Sequence, residues 1–106
     1  MNYENLTIVN YESQFFGDKI DHTLIDVRTT SEYASGHIPH AVNIPLDQLA
    51  RRLEEVPRSR PVVVVCQSGG RSQTASDILA KAGFQKVYNL QGGTSSWMIG
   101  MRPMEF

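Results

Sequence analysis

The chain reads as an α/β protein: a mostly parallel five-stranded sheet flanked by helices on both faces. Three observations predict this. β-rich segments and helical patterns alternate along the 106 residues. The run "VVVV" (Val62–Val65) does not alternate apolar with polar residues, as expected of a strand covered on both faces. The only cysteine, Cys66, follows that run directly, and a glycine pair and a helical pattern follow it. Open α/β sheets bind ligands at such junctions, beyond the carboxyl ends of their strands.

Taken in order, "LTIVN" (Leu6–Asn10) predicts a short strand. "YESQFFGD" (Tyr11–Asp18) predicts a short helix or turn anchored by Phe15 and Phe16. "HTLIDVR" (His22–Arg28) is rich in β-formers. "TSEYASG" (Thr30–Gly36) carries a cap-like start and a glycine stop, so a short helix is expected. "AVNIP" (Ala41–Pro45) is a strand ended by proline. In "LDQLARRLEEV" the residues Leu46, Leu49, Leu53 and Val56 recur at helical spacing. Arg51, Arg52, Glu54 and Glu55 then form a solvated face, and Pro57 ends the segment. After "VVVV", "RSQTASDILAKAG" places Ala75, Ile78, Leu79 and Ala82 on one stripe, with Gly83 as its cap. "KVYNL" supplies the fifth strand, and "GGTSSWMIG" a short closing helix or turn.

A length of 106 residues suits one domain, 1–106, which can hold a core without disulfides or metal. The net charge of −1 offers no basic surface for nucleic acid or anionic lipid. "MNYENLTIVN" lacks the features of a signal peptide, and no apolar run approaches the roughly 20 residues of a membrane span. These observations predict a soluble, cytoplasmic protein with no nucleic-acid or membrane partner. A single cysteine excludes an intramolecular disulfide, a C-x-x-C pair and a multi-cysteine zinc site.

The loop "CQSGGRS" offers its thiol three stabilising features. Gly69 and Gly70 permit positive φ, so successive N–H groups can turn inward as an anion-binding nest. The following helix presents its positive dipole end. Arg71 adds a permanent cation. Gln67, Ser68 and Ser72 contribute further polar groups. All favour the thiolate, the nucleophilic form, so Cys66 is expected to be reactive. The Walker and dinucleotide-binding glycine patterns are absent. None of His22, His37 and His40 is placed by sequence beside Cys66, which disfavours a Cys–His dyad. A multi-residue metal site is likewise not expected.

Three stretches, in order over nearly the whole chain, carry a resemblance. They are "LIDVRTTSEYASGHIPHAVNIP", "VVVVCQSGGRSQTAS" and "VYNLQGGTSSWM". In these the sequence resembles the single-domain rhodaneses, which are sulfurtransferases. The resemblance implies a rhodanese-like fold and transfer of sulfane sulfur through a Cys66 persulfide, from thiosulfate or a persulfide donor to a thiol or cyanide. No cofactor or metal is implied. Gln67, Ser68, Gly69, Gly70, Arg71 and Ser72 would form the substrate cradle, with Arg71 helping to hold an anionic donor. Asp26 and Arg28 would support the loop, Glu32 and His37 would brace the fold, and Trp97 would belong to the core. Gly92 and Gly93 would make a tight turn before the last helix. One departure is His40, where the family usually has glycine: either a histidine at positive φ or a residue shaping the site rim.

Two other readings stay open. A persulfide relay or regulatory module would serve a protein donor or acceptor. A cysteine phosphatase or arsenate reductase is disfavoured by loop length, because Cys66 to Arg71 spans C-x-x-x-x-R, one residue shorter than the phosphatase loop. The tail "MIGMRPMEF" is expected to pack on its own domain.

Overall fold

A computed structural model describes residues 2–17 and 19–106. Its five strands are β1 (Glu4–Leu6), β2 (Thr23–Asp26), β3 (Val42–Asn43), β4 (Val62–Val65) and β5 (Val87–Leu90). They form one sheet in the order β1-β5-β4-β2-β3, with every neighbouring pair parallel. The helices are α1 (Ile8–Gln14), α2 (Thr30–Ala34), α3 (Leu46–Leu49), α4 (Gly70–Lys81) and α5 (Gly93–Ile99), with a 3-10 turn at Leu53–Glu55. Among the described residues no helix is long and apolar enough to cross a membrane.

The central position of β4 explains its composition. Val62 and Val64 point into one core with Ile25, Leu49, Ala75 and Leu79, beneath α3 and α4. Val63 and Val65 point into a second core with Leu24, Tyr11, Phe15, Leu90 and Trp97, beneath α1 and α5. All four valines are essentially inaccessible. Each buried valine stabilises the fold by roughly 1.5–3 kcal/mol relative to exposure, so neither face tolerates a polar residue. Cys66 continues the parity of Val62 and Val64 and faces the α4 side.

Two predicted elements are corrected. The strand expected over Leu6–Asn10 ends at Leu6, and Ile8 already opens α1. Thr7 is the reason: its hydroxyl accepts the Asn10 N–H as an N-cap, so the β-branched Thr-Ile-Val run enters a helix. Helix α1 therefore begins before the predicted Tyr11–Asp18 segment, whose last residue lies outside the described residues. The long helix expected from Leu46 to Val56 is broken. Helix α3 stops at Leu49, Arg52 adopts φ −121°, and a 3-10 turn follows. Its apolar residues still reach the core, since Leu49 and Val56 are buried and Leu46 and Leu53 pack against them.

Helix α2 starts with a full capping box: Thr29 accepts the Glu32 N–H, and Glu32 accepts the Thr29 N–H. His40 does adopt positive φ, +72°, and its N–H donates to Glu105 Oε1 at 2.9 Å. The tail folds back on the domain. Glu105 pairs with His37 in an isolated antiparallel bridge, and the Trp97 indole donates to Pro103 O at 2.7 Å.

Candidate active site

Cys66 leaves β4 at its carboxyl end, between the ends of β2 and β5. The chain then turns through Ser68 and Gly69 into α4. Gly69 adopts φ +127°, a conformation L side chains rarely enter, and this turns its N–H onto the sulfur: Gly69 N lies 3.0 Å from Cys66 Sγ. Gly70 does not share the left-handed conformation; it is the first residue of α4. The expected two-glycine nest is thus built on one glycine. Helix α4 has no side-chain N-cap, so its first-turn N–H groups are not consumed by a capping oxygen.

The thiol is 1% exposed. Burial alone pushes its pKa up. The Ser72 hydroxyl and the backbone N–H groups of Ser72, Gly69 and Ser68 act in the opposite direction and prevail, holding the thiol below its ordinary value. The Ser72 hydroxyl sits 3.4 Å from Sγ, 3.1 Å from Gly69 O and 2.5 Å from Asn89 Oδ1. It has one proton for these acceptors. The neutral thiol donates to Ser72 Oγ, whereas a thiolate competes with Gly69 and Asn89 for that proton.

The loop is held from behind. The Thr94 and Ser95 N–H groups donate to Cys66 O and Gln67 O at 2.9 and 3.0 Å. Gly93, at φ +62°, makes this approach possible: a Cβ there would stand 2.5 Å from Cys66 O. The first two carbonyls of the loop are thus engaged by α5, which fixes the backbone from which Gly69 donates to the sulfur.

Asp26 and Arg28 brace the opposite side. Both are buried, and Arg28 reaches both Asp26 oxygens through Nε and Nη2 at 2.9–3.1 Å. Nη2 also donates to Gly36 O, and Nη1 to Gln67 Oε1 at 3.1 Å. The Gln67 amide in turn donates to Ser95 Oγ. Gln67 therefore links β2 to α5, and its side chain is committed to the frame. Ser68 and Gly70 are exposed at the rim.

Arg71 makes a bidentate pair with Glu32, at 2.7 and 2.9 Å. This pair, opposed by partial burial and reinforced by the Thr29 donors, holds the Glu32 carboxyl down at about 2. A cleft of about 430 Å³ adjoins Arg71, lined by Val27, Thr29, Pro45, Leu46 and Asp47. The histidines bond elsewhere: His22 to Tyr11 and Ile20 O, and His37 to Tyr33 O. Among the described residues no cluster of three or more His, Cys, Asp or Glu side chains could hold a metal ion.

The sequence reading missed Asn89, Ser95 and Asn43. Asn89 connects Ser72 to Asn5 across the sheet. Asn43 donates to Asp26 O and Arg28 O, fixing the end of β2. The signal for Asn89 was present: an amide in the apolar strand "VYNL", beside the end of β4.

This arrangement, a buried thiol that accepts the Gly69 N–H at the end of a central parallel strand, agrees with what sequence and structure comparisons find. The rhodanese-like domain family model matches residues 11–99. A sulfurtransferase of Allochromatium vinosum is 41% identical over 85 residues, covering 80% of this chain and 79% of that protein. The thiosulfate sulfurtransferase GlpE of Shewanella oneidensis is 39% identical over 74 residues, covering 70% of this chain and 73% of that one. Among solved structures, a rhodanese-related protein from Thermoplasma volcanium superposes with a TM-score of 0.87 at 25% identity, covering 97% of this chain and 98% of its own. The chain belongs to the rhodanese-like family and is an enzyme of the rhodanese type, a sulfurtransferase.

Proposed function

We propose that this chain, acting as a single domain over residues 1–106 in the cytoplasm, moves sulfane sulfur through a persulfide on Cys66. The observation that carries this reading is a buried sulfur that accepts the Gly69 N–H at 3.0 Å and lies 3.4 Å from the Ser72 hydroxyl, with its pKa held below the ordinary value. Such a cradle stabilises negative charge both on the attacking thiolate and on the terminal sulfur of a persulfide. With thiosulfate, the Cys66 thiolate attacks the outer sulfur, the S–S bond of the donor breaks, and sulfite leaves with that bonding pair. The enzyme then carries Cys66–S–S⁻. A thiol or cyanide removes the outer sulfur in a second displacement and regenerates the thiolate. Asp26 and Arg28 position the loop through Gln67, and Gly69 and Ser72 hold the sulfur. The single cysteine provides no resolving thiol, so the acceptor is external.

A persulfide relay, with a protein as donor or acceptor, is favoured by one observation. The Arg71 guanidinium, the group expected to attract thiosulfate, is engaged by Glu32. The test is steady-state sulfur transfer from thiosulfate to cyanide, read as thiocyanate, beside Cys66→Ser. Parallel double-reciprocal lines that vanish in the variant support the double displacement. Intersecting lines, or turnover that survives in C66S, contradict it.

A further inference from the structure

We propose that Glu32 is a specificity-determining residue: by neutralising Arg71 at the mouth of the Cys66 loop, it turns the site toward alkyl persulfide donors, which carry at most one negative charge, and away from the thiosulfate dianion. The inference rests on the sulfurtransferase reading and concerns the donor that site takes.

Arg71 lies in the first turn of α4, five positions after Cys66, and borders the cleft beside the loop. Its fork is matched to both Glu32 oxygens. The carboxylate is preorganised, because Glu32 Oε1 also accepts from the Thr29 N–H and hydroxyl in the capping box. Glu32 thus stands in place before any donor arrives, and it stays ionised throughout the neutral range. The other guanidinium beside the loop, Arg28, is buried against Asp26, Gly36 and Gln67. The remaining charged residue of the cleft is a carboxylate, Asp47, and Val27, Pro45 and Leu46 supply apolar wall. A dianion entering here meets Arg71 already cancelled and a further negative charge. An alkyl chain meets aliphatic surface, which removes its own apolar area from water.

The reaction with such a donor balances without another reagent. The Cys66 thiolate attacks the terminal sulfur of R–S–SH, giving Cys66–S–SH and the leaving thiolate R–S⁻.

The experiment uses the full chain, with thiosulfate and a short alkyl persulfide bearing no other charged group as donors, and reads the rate of sulfur loading on Cys66. Glu32→Gln keeps an oxygen for the Thr29 cap but frees the Arg71 charge. The ratio of thiosulfate to persulfide kcat/KM is expected to rise about tenfold, mostly through a lower KM for thiosulfate. The gain should weaken with added salt and disappear in the double variant E32Q/R71M. A ratio that stays within about twofold of the wild type, or a gain that survives in E32Q/R71M, overturns the proposal. The unmodified protein offers a second test: its thiosulfate loading should change little with ionic strength, and a steep fall would contradict a cancelled cation. Loading from neither donor would overturn the sulfurtransferase reading too. Loading from both, with the ratio unmoved, would overturn this inference alone.

Discussion

Gly93 lies directly behind the carbonyl of Cys66, close enough that a single added carbon would stand 2.5 Å from its oxygen. The nucleophile's own backbone is thereby clamped by the turn into α5, 27 residues downstream in sequence. Gly93→Ala must either push the loop forward or break the Thr94 N–H bond to Cys66 O. A cost of about 2–4 kcal/mol is expected from overpacking and positive φ together. Denaturant unfolding reads the stability, and iodoacetamide alkylation reads the loop. Wild-type stability in G93A would mean the loop accommodates the methyl without strain.

Ser72 stands between the sulfur and Asn89. Removing its hydroxyl in Ser72→Ala deletes a group that holds the thiol pKa down, so the pH profile of Cys66 alkylation should move to higher pH. The same shift carries a stability signature. The folded thiol titrates below the ordinary value of 9.0, so ionisation stabilises the fold. That stabilisation is complete above the unfolded pKa and is lost as pH falls through the folded one. Relative to Cys66→Ala, the wild type should therefore gain stability as pH rises through this window, and S72A should show a smaller gain.

Asp26 and Arg28 form a buried ion pair with multiple hydrogen bonds. Asp26→Asn leaves a guanidinium inside the protein without its counter-charge. The expected loss is about 3–5 kcal/mol, a large share of a small domain's stability, and chemical denaturation reads it directly. A loss below 1 kcal/mol would mean that Gly36 and Gln67 alone satisfy Arg28.

The Glu32–Arg71 pair predicts an acid limb. The Glu32 carboxyl is held at about 2 in the fold against an ordinary 4.5. A depressed acid contributes stability that is present above pH 4.5 and lost as pH falls toward 2. Wild-type unfolding free energy should fall across this window more steeply than that of Glu32→Gln. Both side chains are about one-third exposed, so solvent screening keeps the effect modest. Identical slopes would contradict the assignment.

His40 occupies left-handed backbone at φ +72°. His40→Gly keeps the N–H that donates to Glu105 and relieves the strain, so a gain of up to about 1 kcal/mol is expected in thermal unfolding. Destabilisation would show that the imidazole itself is held by favourable contacts.

The sheet was legible because its signals were local and redundant. Four consecutive valines require two covered faces, and a glycine-bearing loop into a helix marks a strand's carboxyl end. The start of α1 was not, because one hydroxyl at Thr7 overrides the β-propensity of Ile8 and Val9. The break after Leu49 was hidden for another reason: an apolar spacing compatible with one helix is equally compatible with two short turns. At the site, Cys66 and its loop were readable as a motif, whereas the contacts that orient them join distant segments. Gln67 to Arg28, Asn89 to Ser72 and Arg71 to Glu32 are pairings that only the tertiary fold supplies.

Whether Cys66 carries transferred sulfur is read from the intact mass of the protein after incubation with thiosulfate, and separately with an alkyl persulfide, beside Cys66→Ser. A gain of one sulfur atom from at least one donor, removed by cyanide and absent from C66S, is expected. A folded wild-type protein that gains no sulfur from either donor would contradict transfer through Cys66, as would a gain that persists in C66S.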